Sequence, residues 1–126
     1  MKKLLSILTV AALLVSCSNS SSVTNVNTQD FLTKTQEANV VVIDVRTADE
    51  FAQGHLLNAI NINVEGGMFE ESIATLDKSA TYAVYCRSGR RSAIATEKMA
   101  KAGFTSLFNL QGAGFLELAQ AGAVTA

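Results

Sequence analysis

The sequence predicts an α/β domain built around a largely parallel β-sheet. Short runs rich in β-branched and aromatic residues alternate along the chain with stretches that have helical periodicity and capping residues. The chain has 126 residues, of which 48% are hydrophobic, so it can bury the core of one domain. Alternation favours parallel strands, because each intervening helix carries the chain back to the edge from which the next strand starts.

Four strands are predicted. The sequence VVVIDV at Val40–Val45 is an almost continuous apolar run, which is typical of a strand buried on both faces. The other predicted strands are Thr81–Tyr85, Ser106–Leu110 and the short Ala59–Ile62.

Five helices are predicted around these strands. Thr47, with Glu50 three residues later, has the pattern of a capping box and marks the start of one helix. Gly103 is placed as the C′ residue that ends the helix predicted at Ser92–Ala102. The remaining helices are predicted at Thr28–Ala38, Met68–Leu76 and Phe115–Ala121.

The N-terminus has the pattern of an export signal. Lys2 and Lys3 precede the apolar run Leu4–Val15, which is too short to span a bilayer, since a spanning helix needs about 20 residues. A buried core helix is the alternative, but two leading lysines and the lack of a polar face disfavour it.

The end of that run, Leu14 to Cys17 (LVSC), resembles the lipobox of bacterial lipoproteins. The resemblance implies a signal peptide at 1–16, cleavage before Cys17 and acylation of Cys17. The alternative is a secreted protein cut nearby. Residues 17–27, rich in Ser, Asn and Thr, are predicted to be a flexible tether ahead of a domain at 28–126.

The same segment predicts the location of the protein. Basic residues stay on the cytoplasmic side, so Lys2 and Lys3 orient the signal for export. Ser18 follows Cys17, in place of the aspartate that would resemble an inner-membrane retention signal. In a Gram-negative host we therefore expect a membrane-anchored lipoprotein of the outer membrane that faces the periplasm.

Cys86 lies directly after a predicted strand, in the sequence VYCRSGRRSA. It could be a packed core residue, half of a disulfide, a metal ligand or a nucleophile. With Cys17 acylated, Cys86 is left without an intramolecular partner, which is typical of a reactive thiol or of intermolecular pairing. Two cysteines and one histidine in the chain make a metal site a poor alternative.

The loop that follows favours the nucleophile. Gly89 permits a tight turn, whose backbone N–H groups and the helix start beyond it favour an anion. Arg87, Arg90 and Arg91 add positive charge. Comparable settings lower a cysteine pKa from about 8.5 to roughly 3.5–7.5. In a parallel sheet, this loop and the Asp44–Arg46 segment also meet at the same edge, where ligands bind.

The segments at 41–62 (VVIDVRTADEFAQGHLLNAINI) and 84–92 (VYCRSGRRS) together resemble a rhodanese-type sulfurtransferase domain. The first matches the family pattern at Asp44, Val45, Arg46, Glu50, Phe51, Gly54, His55, Ala59, Asn61 and Ile62. The likeness covers about 28–121. It implies the rhodanese-like fold, a five-stranded, mainly parallel sheet flanked by helices.

The resemblance also implies roles for individual residues. Cys86 is the nucleophile and carries sulfane sulfur as a persulfide. The backbone and arginines of the next five residues bind the anionic substrate, and the last of the five closes the loop. These residues are Arg87, Ser88, Gly89, Arg90 and Arg91. Asp44, Arg46 and His55 are supporting residues. We expect His55 to form structural hydrogen bonds rather than act as a base, and Arg46 to pair with Glu50.

The sequence departs from the family pattern in its turns. Positions where the family often has Pro-Gly and a further proline hold Leu57, Asn58 and Asn63. A double glycine near the end of the family pattern corresponds to Gly112-Ala113-Gly114 in this sequence.

Loop length separates the rival enzymes. Cys86 to Arg91 gives C-x4-R, whereas related phosphatases use C-x5-R around a tetrahedral oxyanion. We therefore expect transfer of sulfur from thiosulfate or a similar anion to cyanide or a thiol, without a metal or organic cofactor. The alternatives are a cysteine-based phosphatase or arsenate reductase-like enzyme, and a non-enzymatic persulfide carrier or interaction module.

Charge and partners complete the prediction. Ten Lys and Arg against 11 Asp and Glu leave the chain nearly neutral, which gives no reason to expect a nucleic-acid partner. We expect a monomer whose partners are small sulfur anions, a thiol or cyanide acceptor, and the membrane through the lipid anchor.

Overall fold

The computed structural model describes residues 22–126, which form a five-stranded sheet with helices on both faces. The strands are β1 (Val23–Val26), β2 (Val40–Asp44), β3 (Ile60–Asn61), β4 (Thr81–Tyr85) and β5 (Ser106–Leu110). Their spatial order is β1-β5-β4-β2-β3, and every pair is parallel. The predicted α/β fold with a parallel five-stranded sheet is confirmed.

The helices are α1 (Thr28–Thr35), α2 (Ala48–Ala52), α3 (Phe69–Ile73), α4 (Arg90–Lys101) and α5 (Phe115–Gln120). No helix within residues 22–126 combines the length and the apolar character that a membrane crossing requires.

The core lies on both faces of the sheet. On one face, Val84 and neighbouring strand residues pack with Phe69 of α3 and Met99 of α4. On the other face, Tyr85 packs with Phe31 of α1 and Leu118 of α5. Because successive strand residues point to opposite faces, β2 and β4 need apolar side chains at nearly every position. That need explains the continuous apolar runs in the sequence.

β1 corrects the predicted tether, which was drawn across 17–27. Val23–Val26 is a strand instead, paired with β5 in the register Val23 to Leu107. Its residues alternate little in polarity, and the middle two, Thr24 and Asn25, are exposed, because β1 is an edge strand. The predicted signal peptide, Cys17 and the rest of the tether up to residue 21 lie outside the described residues.

Helix boundaries differ from prediction in a few places. α4 begins at Arg90 rather than Ser92, because Gly89 at φ +97° already forms the N-cap. α1 and α3 are shorter than predicted, and end at Thr35 and Ile73. The capping box between Thr47 and Glu50 at the start of α2 is present as predicted.

A buried ion pair closes the end of β2. Asp44 is fully buried, and its Oδ2 accepts a hydrogen bond from Nη2 of Arg46 at 2.7 Å. The same Nη2 donates to the carbonyl of Gly54 at 2.7 Å, and the guanidinium lies 4.6 Å from the ring centre of Phe115. The prediction that Arg46 pairs with Glu50 is therefore wrong, because Arg46 pairs with Asp44. The pair joins β2, the segment after α2 and the start of α5.

Replacement of Asp44 by Asn is expected to destabilise the fold by about 3–5 kcal/mol, because Arg46 is left as an uncompensated buried charge. Urea denaturation measures the loss as a lower midpoint at an unchanged slope. Glu70→Gln is the matched control. It breaks a 2.7 Å ion pair with Lys98 in which the glutamate side chain is 63% exposed, so water compensates the loss. Equal midpoint shifts in the two variants would contradict this role for Asp44.

Candidate functional site

Cys86 follows directly after the last residue of β4 and is fully buried. Its Sγ accepts a hydrogen bond from the backbone N–H of Gly89 at 3.0 Å and lies 3.5 Å from the hydroxyl oxygen of Ser92. It is a free thiol. Residues 87–89 thus curl around the sulfur and direct donors toward it.

These contacts change the acidity of the thiol. Burial is the largest single influence and raises the pKa of Cys86, because it disfavours a charged sulfur. Hydrogen bonds from the Ser92 hydroxyl and from the backbone N–H groups of Ser92, Ser88 and Gly89 together outweigh burial, so the net effect lowers the pKa of Cys86. Backbone amides and one hydroxyl, rather than arginine side chains, are therefore the main groups that favour the thiolate.

The turn between β5 and α5 packs directly against the backbone of the Cys86 loop. An added Cβ at Gly89 would lie 2.8 Å from the backbone nitrogen of Gly112, and one at Gly114 would overlap the carbonyl group of Arg87. Phe115 donates its backbone N–H to the carbonyl of Cys86 at 2.9 Å. Of the Gly-Ala-Gly sequence, Gly114 is thus the residue that lets two backbones touch.

Arg91 joins the loop to α2. Its Nη1 and Nη2 donate to the two carboxylate oxygens of Glu50 at 2.6 and 2.9 Å. Glu50 also accepts a hydrogen bond from the hydroxyl of Thr47 at 3.1 Å, so one carboxylate caps the helix and holds the loop. The pKa of Glu50 is lowered to about 2, chiefly by its hydrogen bond with Arg91.

The predicted substrate-binding arginines therefore divide into two kinds. The charge of Arg91 is already compensated by Glu50. Arg87 and Arg90 are exposed, and neither forms an ion pair within residues 22–126. Ser88 is also exposed, with its backbone N–H directed at the sulfur. The two free guanidinium groups can attract an anion to the loop.

A cavity of about 270 Å³ lies beside the loop, between α2 and α5. It is lined by Arg46, Glu50, Gln53, Gly54, Arg87, Phe115 and Leu116. A larger one, of about 520 Å³, opens where β2 begins and is lined mainly by apolar and uncharged side chains, far from Cys86 in the fold. Of these two cavities, the smaller one has the Cys86 loop at its wall through Arg87, which forms no ion pair within residues 22–126.

His55 lies outside the sulfur's surroundings. Its Nδ1 is 2.8 Å from the carbonyl oxygen of Phe51, and its ring stacks on that of Phe51 at 3.5 Å between centres. Its backbone pairs with Ala126 in both directions. These contacts fasten the C-terminus and α2 together. Within the described part of the chain, no group of three or more His, Cys, Asp or Glu side chains is placed so that it could hold a metal ion.

Sequence reasoning missed three residues of this site. Ser92 was predicted only as the start of a helix, Glu50 as a capping residue and the partner of Arg46, and Gly114 as part of a Gly-Ala-Gly sequence in place of a double glycine. Ser92 and Gly114 each follow a turn that contains glycine. A small residue just after such a turn could have indicated a close contact with the Cys86 loop. The contact between Glu50 and Arg91 joins residues 41 positions apart, and no local pattern marks it.

Comparisons with known proteins agree with this geometry. A sequence model described as "Rhodanese-like domain" matches residues 27–118. A putative mitochondrial thiosulfate sulfurtransferase of Schizosaccharomyces pombe is 37% identical over 127 aligned positions, which cover 83% of this chain and 88% of that protein. A putative sulfur carrier protein of Bacillus subtilis, YrkF, is 28% identical over 96 positions, which cover 75% of this chain and 51% of that one.

Solved structures show the same fold. A rhodanese-related protein from Thermoplasma volcanium superposes with a TM-score of 0.69 at 27% identity, and the match covers 81% of this chain and 96% of that chain.

Ser92→Ala is expected to raise the pKa of Cys86, because the hydroxyl that stabilises the thiolate is removed. The ultraviolet absorbance of the thiolate, followed against pH in a Cys17→Ala background, measures the shift. Ser88→Ala is the control, since Ser88 acts through its backbone N–H, which alanine keeps. An unchanged titration in Ser92→Ala, or an equal shift in both variants, would contradict this account.

Glu50→Gln is expected to destabilise the fold at neutral pH by about 1–3 kcal/mol, because Arg91 loses a charged hydrogen-bond partner. The folded pKa of Glu50, about 2, lies below its ordinary 4.5. Its stabilisation is therefore complete above about pH 4.5 and is lost as the pH falls toward 2.

Urea midpoints of wild type and Glu50→Gln should thus converge in acid. The control is Glu97→Gln, which breaks an exposed pair with Lys101 and should change little at any pH. A gap between wild type and Glu50→Gln that is constant from neutral pH to about pH 2 would show that the ionised carboxylate is not its cause.

Proposed function

This chain belongs to the rhodanese-like family, and on that premise we propose that it is a sulfurtransferase that works through a persulfide on Cys86. One observation carries the proposal: a buried, free thiol whose pKa is lowered by the Ser92 hydroxyl and by backbone amides, inside a C-x4-R loop. The donor in this proposal is thiosulfate or a similar anion, and the acceptor is cyanide or a thiol.

The proposed reaction has two displacements at sulfur. In the first, the Cys86 thiolate attacks the outer sulfur of thiosulfate, a new S–S bond forms, and the old S–S bond breaks as sulfite leaves with its electron pair. In the second, the acceptor anion attacks the outer sulfur of the persulfide, and Cys86 leaves as the thiolate. A lowered pKa assists both steps, because the thiolate is first the attacking group and then the leaving group.

The surrounding residues divide the remaining work. Arg87 and Arg90, which carry no counter-ion in the described residues, attract the anionic donor and the departing sulfite. The N–H groups of Ser88 and Gly89 stabilise charge on Cys86 at the start and the end of the cycle. Arg91, held by Glu50, keeps the loop in its curled shape.

A sulfur carrier is the second candidate, supported by the relative named as a putative sulfur carrier protein. A carrier would form the same persulfide but pass its sulfur only to a protein partner. The phosphatase and arsenate reductase-like alternatives are less well supported, since the loop is one residue shorter than C-x5-R.

We further propose that Cys17 is acylated and anchors the protein to a membrane, with the domain on the periplasmic side of the outer membrane in a Gram-negative host. The support is the basic start, the short apolar run and the lipobox-like sequence that ends at Cys17. The lipobox resemblance implies a diacylglycerol and an N-acyl chain on Cys17, and these three acyl chains suffice for stable anchoring.

Cys86→Ser is expected to reduce thiosulfate:cyanide sulfur transfer to background, because serine has no ionisable sulfur at this position. Thiocyanate formation measures the transfer, and circular dichroism checks the fold. Cys17→Ala is the control and should keep full activity in solution. Turnover retained by Cys86→Ser would overturn the proposed chemistry.

The same assay separates the candidates. Wild type that takes up sulfur on Cys86 but makes no thiocyanate would favour the carrier. Hydrolysis of p-nitrophenyl phosphate at a rate comparable with sulfur transfer would favour the phosphatase instead.

A further inference from the structure

The structure fixes where the chain enters the domain. Ser22 accepts a hydrogen bond from the backbone N–H of Leu107 at 3.0 Å, and β1 begins at Val23. Because the whole sheet is parallel, this entry point lies at the edge where β4 and β5 also start. Cys86 lies at the opposite edge, beyond the end of β4.

The link between Cys17 and Ser22 is short. Only residues 18–21 separate the two, so five Cα-to-Cα steps span at most about 17 Å when fully extended. A flexible chain of that length reaches only about 12 Å on average. The ordered β1 therefore halves the tether that the sequence predicts.

The domain is taller than this reach. β4 and the step to Cys86 alone span about 16 Å, and a domain of this size is about 30 Å across. If the Cys86 edge lay against the bilayer, Ser22 would be separated from the bilayer surface by most of the height of the domain, and the chain from Cys17 to Ser22 would have to span that distance. About 17 Å of chain cannot do so.

We propose that the edge where the strands begin faces the lipid bilayer to which Cys17 is anchored, and that Cys86 faces the aqueous phase. This inference rests on the proposed acylation of Cys17 and deepens the proposed sulfur transfer. It follows that the donor and acceptor are water-soluble species, and that a sulfur compound held within the bilayer cannot reach the loop.

The bilayer-facing edge has side chains that suit a headgroup layer. Lys78 is exposed and forms no ion pair within residues 22–126. Its carbonyl accepts a hydrogen bond from the backbone N–H of Thr105, which places Lys78 close to the point where the chain enters the domain. Lys101, 76% exposed, ends α4 nearby and is paired with Glu97. Asp77 adjoins Lys78, so the surface carries both signs of charge. The short tether sets the orientation of the domain on the bilayer, and Lys78 adds a contact with anionic headgroups.

The test uses the full-length, acylated protein in vesicles of phosphatidylethanolamine and phosphatidylglycerol that contain a headgroup-labelled acceptor lipid. A donor dye is placed on Lys78→Cys or on Leu116→Cys, each in a Cys86→Ser background. Leu116 is 61% exposed at the start of α5, beside the Cys86 loop. The dye at position 78 is expected to lose more fluorescence than the dye at position 116. Equal losses, or the reverse order, would overturn the orientation.

A longer tether provides the control. Insertion of about forty Gly and Ser residues between Ser21 and Ser22 lengthens the average reach of the tether to about 37 Å, beyond the height of the domain, so the difference between the two dyes should shrink. A difference that persists would show that the short tether is not its cause.

Failure of the premises can be told apart from failure of the inference. Wild type that takes up no palmitate and partitions like Cys17→Ala would overturn the anchor and the orientation together, while sulfur transfer in solution would be unaffected. Loss of the proposed chemistry would leave the fluorescence result standing, because the dye-labelled variants lack Cys86 in any case.

Discussion

A charged sulfur is stable inside a protein only when hydrogen-bond donors replace the water it has lost. Cys86 is fully buried, and burial alone would keep it protonated. The N–H of Gly89 at 3.0 Å, with the amides of Ser88 and Ser92 and the Ser92 hydroxyl, outweighs burial and lowers the pKa of Cys86. The curled shape of the loop is therefore the constraint on which the rest of the site depends.

The rest of the structure holds that shape from three directions. Gly114 lets the β5–α5 turn touch the backbone of Arg87, and Phe115 donates to the carbonyl of Cys86. From α2, Glu50 binds Arg91 through two hydrogen bonds. Arg46, paired with Asp44, contacts the ring of Phe115 and so fixes the support itself. Loops after β2, β4 and β5 thus meet at one edge because the strands are parallel.

The sequence predicts the central part of this arrangement well, because local physics determines it. The boundaries of β4 and β5 agree with prediction, and for β4 the reason is that a strand buried on both faces needs a nearly unbroken apolar run. The Thr47–Glu50 capping box and the Cys86 loop also follow from residues close together in the chain. The fifth strand was expected only from the family resemblance, because β1 is a polar edge strand with little pattern of its own.

Long-range contacts were beyond local reasoning. Glu50 could pair with either of two arginines, Arg46 or Arg91. The sequence predicted Arg46, which is nearer along the chain. In the fold, Arg46 turns back to the buried Asp44, and Glu50 is left for Arg91. Burial of Asp44 decides which carboxylate Arg46 binds, because a fully buried carboxylate needs a partner more than a partly exposed one does.

Intact-mass spectrometry of the purified protein after incubation with thiosulfate tests the central claim most directly. The account predicts one added sulfur atom, located on the peptide that contains Cys86 and removed by cyanide. An unchanged mass, or sulfur added at another position while Cys86 stays a free thiol, would contradict the claim that this amide-lined loop forms a persulfide.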